Sequence, residues 1–277
     1  MFDDVKLSRR HFMAVVSTFL ASPLQAKTRP LIIDAHCHAG HGQAMSAPWT
    51  TWADPEITLR RMTEARIERS IIFPINNTEY EKANEEVAEI CARYPAKFIG
   101  FAKHDPQTEA GRIRAMLRRE VEVLKLKGLK LHRLPTREAL DAVAELGIPI
   151  LYHPEKVSDF HMIASEYPQI PFIMAHLGSF ASQDWTEHLE AIDVARRYPN
   201  VYLETSSVVF FKFLEMAAKE LGAEKLIFGS DGPEVDSRVE LYKIRLLKLA
   251  AQDEAKVLGG NILRLLPKGT VAERACV

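Results

Sequence analysis

From residue 31 onward, short apolar runs alternate with longer stretches in which apolar residues recur every three or four positions. The short runs fall at 31–38, 70–74, 97–101, 128–132, 149–153, 171–176, 201–205 and 226–231, and they read as strands. The longer stretches at 56–67, 81–94, 109–124, 136–146, 157–167, 185–198 and 208–221 read as helices, followed by 237–248 and 252–266. In the second, Ala83, Val87, Ile90 and Cys91 share one face; the fourth opens on Thr136 as an N-cap. Nearly continuous apolar strands alternating with amphipathic helices mark a parallel sheet covered by helices. Eight such units over roughly 250 residues predict a single α/β domain, a (β/α)8 TIM barrel, rather than an open sheet. No Gly-x-Gly-x-x-Gly follows the first run, which argues against a dinucleotide site. The segment 39–54 is a long loop containing Trp49 and Trp52, and 268–277 reads as a loose end.

The first residues carry a different pattern. Lys6, Arg9 and Arg10 form a basic start, Phe12 to Leu20 a short apolar core, and Leu24-Gln25-Ala26 a cleavage point with a small final residue. Ser8-Arg9-Arg10-His11-Phe12-Met13 is similar to a twin-arginine (Tat) signal, so 1–26 is set aside as a signal peptide and 27–277 as the working domain. The expected address is the periplasm or another exported location, with the Tat machinery as partner of the precursor. The apolar core is too short for a stable membrane span. Overall charge is -1 and removal of the signal keeps it near neutral, so neither nucleic acid nor an anionic surface is an expected partner. The three cysteines, Cys37, Cys91 and Cys276, make neither a disulfide framework nor a zinc-finger spacing. A small molecule is the expected partner; oligomeric state stays open.

Candidate chemistry gathers at the ends of the runs. In a barrel of this kind the active site lies at the C-terminal ends of the strands. The first strand ends in His36-Cys37-His38, where alternation puts both imidazoles, and Asp34 with them, on one face and Cys37 on the other. The fourth ends in Lys130-Leu131-His132, the fifth in His153, the sixth in His176, the seventh in Glu204-Thr205-Ser206 and the eighth in Asp231. One strand-end histidine is ordinarily structural. Several at matching ends would each need a buried partner, and a shared cation supplies one. Trp49, Trp52 and Arg133 sit just beyond strand ends and are candidate substrate contacts, as is His132; loop anchoring is the alternative for the aromatics.

These pieces resemble the amidohydrolase superfamily, in the amidohydrolase-related branch that holds single-metal hydrolases and non-oxidative decarboxylases. The resemblance rests on Ile33-Asp34-Ala35-His36-Cys37-His38, Tyr152-His153-Pro154, Ala175-His176-Leu177-Gly178-Ser179 and Phe228-Gly229-Ser230-Asp231, and runs from about residue 31 to 266. It implies His36, His38 and His153 as metal ligands, with Asp231 as a further ligand or general base and His176 as a proton-handling residue. It implies one divalent ion, zinc first, with manganese, iron or cobalt open on the same nitrogen and oxygen donors. Two-metal members carry a carboxylated lysine or a glutamate at the end of the fourth strand. Lys130 could play that part, or lie below the site as an inward polar residue. The expected activity is hydrolysis of an amide, ester or lactone through a metal-activated water. Decarboxylation of an aromatic or related acid is the alternative, and a silent binding barrel the third reading.

Overall fold

The computed structural model describes residues 29–43 and 51–270. The signal segment 1–26, Trp49 and Cys276 lie outside these.

The strands are β1 (Ile33–His41), β2 (Trp52–Ala53), β3 (Arg69–Pro74), β4 (Phe98–Gly100), β5 (Ala102–His104), β6 (Leu129–Leu131), β7 (Ile150–Tyr152), β8 (Phe172–Met174), β9 (Val201–Glu204) and β10 (Leu226–Ile227). One set of neighbours runs β2-β1-β3-β4 and the other β10-β9-β8-β7-β6-β5; every pairing but that of β1 with β2 is parallel. β4 and β5 are one stave split at Phe101: the first half pairs with β3 and the second with β6. The ring closes where Ala35 N donates to Phe228 O (3.0 Å) and Asp231 N to His36 O (2.7 Å). The eight staves expected from the apolar runs are therefore present as a closed (β/α)8 barrel, with β2 as a short rim strand beside the first.

The helices follow the expected order, trimmed at their ends. The first runs Pro55–Ala65, with Asp54 accepting from Glu56 N as its cap. Thr136 caps Arg137–Leu146 through its hydroxyl, which accepts from Ala139 N. The stretch expected as one helix over 252–266 is instead Ala251–Ala255, a π-helical turn Lys256–Gly260, and Asn261–Leu265.

Two cores result from strand alternation. Ile33, Ala35, Ile71, Phe73, Ile99, Phe101, Leu151 and Ile173 fill the barrel interior, and the larger outer core fills the space between strands and helices. Truncating an interior aromatic such as Phe73 to alanine would cost about 3–5 kcal/mol. Above this plug the inward positions turn polar: Lys103, Lys130, Glu204 and His36, then His132, His153, His176 and Asp231. Among the described residues no helix is long and apolar enough to cross a membrane.

Candidate metal centre and active site

A bulge builds the first half of the site. Asp34 pairs with Ser70 on β3, yet Cys37 pairs with Ile72, so β1 carries one extra residue between them. The extra residue turns His36 and His38 inward but leaves Asp34 with Cys37. The expectation that Asp34 shares the histidines' face is thus corrected. Its carboxylate accepts from Ser230 N (2.9 Å) and Ser230 Oγ (2.6 Å), tying the first stave to the eighth. Burial pushes the Asp34 carboxyl up to about 7. Cys37 is buried and its thiol is pushed well up by the same burial, so it is no nucleophile.

His36 Nε2 and His38 Nε2 lie 3.2 and 3.3 Å from Asp231 Oδ1. These three donor groups fall within 4.8 Å of one another, as do those of His36, His176 and Glu204. Two imidazoles and a carboxylate form a donor set that a divalent cation accepts. Burial lowers His36, and the Lys130 charge lowers it further; burial lowers His38 as well. Burial alone would raise Asp231, but the imidazoles of His36, His38 and His176 outweigh it and hold the carboxyl well below its usual range. Neutral imidazoles beside an ionised carboxylate are the protonation states that metal binding requires.

Glu204, at the end of the seventh run but outside the expected ligand set, organises the site from behind. It is fully buried and accepts from His36 Nδ1 (2.9 Å), His176 N (3.1 Å), Ser206 N (2.6 Å) and Ser206 Oγ (2.9 Å). Donation from Nδ1 fixes the His36 tautomer and leaves Nε2 as a lone-pair donor. Gly229 makes room for this contact: a Cβ there would come within 2.3 Å of Glu204 Oε1. His176 Nδ1 is bonded to Ser206 Oγ at 2.9 Å, which leaves Nε2 as its free ring nitrogen. His176 (φ 57°) and Asp231 (φ 61°) both hold left-handed backbone, a strained conformation that clusters at functional positions.

The pocket above has a volume of about 190 Å³ and is lined by His38, His132, His153, His176 and Asp231 together with Ala53, Ile75, Asn76, Phe180, Pro233 and Glu234. His153 stands across from the cluster, its ring 4.6 Å from that of His176 and 5.1 Å from that of His132. It lies outside the tight His36, His38 and Asp231 group but shares their cavity. Lys130 lies below the site, with Nζ 3.4 Å from His36 Nε2 and over the Phe73 ring. Burial pulls Lys130 down to about 8 and Lys103 well below its usual range.

Two candidate substrate contacts fall elsewhere. Arg133 is half exposed and pairs with Glu155 at 3.2 Å, because the residue after an inward His132 must point outward. Trp52 lies on the rim, stacked on His41 at 4.0 Å, and its neighbour Ala53 meets the pocket instead. Asn76, Phe180 and Pro233 were not anticipated. They come from loops beyond strand ends, where no period marks which residue turns inward.

The fold is shared with solved structures at low sequence identity. A 5-carboxyvanillate decarboxylase from Sphingomonas paucimobilis superposes with a TM-score of 0.67 at 15% identity, over 86% of this chain and 99% of that one. A dihydroxybenzoic acid decarboxylase from a Polaromonas species, solved with manganese and 2-nitroresorcinol, gives 0.68 at 17% identity, over 86% and 97%. A probable 2-pyrone-4,6-dicarboxylic acid hydrolase from Acinetobacter baumannii gives 0.64 at 14%, over 84% and 98%. No curated protein matches the sequence. The family model described as Amidohydrolase matches residues 33–268, so the barrel, its metal-receptive histidines and its aspartate belong to a metal-dependent enzyme of the amidohydrolase family.

Proposed function

We propose that this chain is a non-oxidative decarboxylase of a small aromatic carboxylic acid. The carrying observation is the pocket. An apolar space between Ala53, Ile75, Phe180 and Pro233 abuts the His36, His38 and Asp231 cluster, and buried amines lie beneath it. That combination suits a ring bearing a carboxylate, and the shared fold with two decarboxylases supports it. Hydrolysis of an amide, ester or lactone is the second reading, supported by the fold shared with the pyrone hydrolase.

A divalent ion held by His36, His38 and Asp231, with His153 as a further imidazole, would supply positive charge where the substrate's oxygens bind. The chain's own groups do the rest. Apolar walls exclude water and orient the ring. The bond between ring and carboxyl carbon breaks, its electron pair stays on the ring carbon, and carbon dioxide leaves. With Nδ1–H held by Ser206, His176 Nε2 carries a lone pair at rest; it takes a proton from solvent and is placed to hand it to that carbon, with Ser206 and Glu204 fixing the ring behind it. In the hydrolytic reading, Asp231 takes the proton of the attacking water instead.

The test is turnover of 2,6-dihydroxybenzoate and 5-carboxyvanillate in deuterium oxide. Carbon dioxide release with one deuterium at the vacated carbon is expected. Absence of carbon dioxide, with solvent oxygen entering a new acid from lactone substrates, would establish the hydrolase. We also infer export through the twin-arginine route from residues 8–13. Arg9→Lys with Arg10→Lys should hold the precursor in the cytoplasm, and unchanged fractionation would remove that inference.

A further inference from the structure

A second constellation borders the metal-receptive one. Lys103 and Lys130 are direct register partners on β5 and β6. Both are fully buried and turn into the barrel. Their polar contacts are to neutral groups: Lys103 Nζ donates to Asn76 Oδ1 at 2.8 Å, and Lys130 Nζ faces His36 Nε2. His132, two residues past Lys130 and on the same face, is half-buried; its Nδ1 atom is buried and among the described residues has no hydrogen-bond partner. Asn76 and His132 line the pocket, with the two amines behind them.

Neighbouring amines in a low-dielectric interior repel one another, and an unpartnered buried ring nitrogen is costly to keep. The nearest carboxylates are engaged elsewhere. Glu204 already accepts four hydrogen bonds and Asp231 faces His36 and His38. The acidic lining residues Asp231 and Glu234 follow the eighth stave, which in an eight-membered ring stands opposite the fourth, where Lys130 and His132 lie. Asp231 and Glu204 act on the lysines through space, but among the described residues no carboxylate accepts a hydrogen bond from either amine. Because Asn76 Oδ1 accepts from Lys103, its amide N–H2 remains as a donor on the pocket that His132 also lines.

We propose that the pocket floor between Asn76 and His132 binds a second, non-reacting carboxylate, so that the substrate is a small aromatic dicarboxylic acid. One carboxyl meets the His36, His38 and Asp231 cluster. The other accepts from the Asn76 amide and His132 Nδ1, with Lys103 and Lys130 supplying charge from behind. This specifies the substrate of the proposed decarboxylase, and its test uses binding alone, so either idea can fail without the other.

The experiment is calorimetric titration of the metal-loaded chain with isophthalate, benzoate and 3-carbamoylbenzoate, the last matching isophthalate in shape with a neutral second group. Isophthalate is expected to bind about 10–100-fold more tightly than either monoacid, the range of one charge-assisted contact. In Lys103→Met that preference should collapse to within about threefold, half of one such decade. Equal binding of isophthalate and 3-carbamoylbenzoate to the unmodified chain overturns the proposal, and needs no variant to fold. Retention of the full preference in folded Lys103→Met also overturns it. Tight isophthalate binding without carbon dioxide release from any acid would keep the corner and discard the decarboxylase.

Discussion

Two histidines of this barrel are each flanked by two carboxylates, and they end in opposite states. His36 reaches Glu204 through Nδ1 and Asp231 through Nε2, at 2.9 and 3.2 Å. His104, the last residue of β5, reaches Glu109 through Nδ1 and Glu120 through Nε2, at 2.8 and 2.7 Å. Burial lowers His104, but the bonds to Glu109 and Glu120 outweigh it and raise it to about 9. His36 is driven the other way, first by burial and then by the charge of Lys130, against which Asp231 pulls only in part. His104 faces outward, between the helices Tyr80–Arg93 and Ile113–Glu122, where Asn84 also donates to Glu120 (2.7 Å) and brackets the backbone of Lys103. The same triad is thus an ion-paired brace on the outside of the stave and a cation receptor on the inside. At His104 the two carboxylate bonds outweigh burial, whereas at His36 burial together with the Lys130 charge prevails.

The largest effect should come from the receptor. Asp231→Asn is expected to lower kcat/KM by about 10²–10³-fold, through the carboxylate charge that helps hold the ion in the decarboxylase and through the lost proton acceptor in the hydrolytic reading, while retaining metal better than His36→Ala. Steady-state kinetics alongside metal content would separate the two. Unchanged turnover in Asp231→Asn would remove that residue from the mechanism.

The brace should respond next. His104→Leu leaves two buried glutamates unpaired and should cost about 3–5 kcal/mol at pH 6. The His104 pKa is raised from 6.5 in the unfolded chain to about 9 in the folded one. Its contribution is therefore complete below pH 6.5 and disappears as pH rises through about 9; the full shift is worth roughly 3 kcal/mol. Denaturant unfolding of both proteins from pH 6 to 10 should show the gap narrowing with pH. A constant gap would mean that His104 is neutral and the two triads are alike.

Glu204→Gln probes what stands behind the receptor. It should weaken metal binding by about 10–100-fold, as loss of a carboxylate that orients a ligating imidazole commonly does. An equally tight site would show that Gly229 leaves room for a contact without consequence. Arg133→Ala should be the weakest of the set. An exposed pair with Glu155 contributes less than about 1 kcal/mol, and turnover should stay within about twofold.

The same contrast explains what could be read from the chain in advance. The staves and helices were legible because burial repeats with a period, as at Ala83, Val87 and Ile90. The convergence of His36, His38, His132, His153, His176 and Asp231 was legible because barrel topology fixes where strand ends meet. The place of Asp34 was not, since one inserted residue in β1 reverses the alternation without leaving a mark in the residue types. Glu204 was hidden for another reason: its role exists only across staves, through His36, Ser206 and the space over Gly229. A carboxylate ending the seventh run opposite a glycine in the eighth was the available signal. Asn76 and Phe180 belong to loops and had none.

Metal content is the most direct measure. The purified chain and His36→Ala would each be loaded with manganese or zinc, dialysed, and measured for bound metal and turnover. The expected result is one divalent ion per chain in the unmodified protein, with metal and activity lost together in the variant. A metal-stripped chain that turns over at the full rate, or a His36→Ala protein that keeps its ion, would contradict the assignment of this cluster as the metal centre.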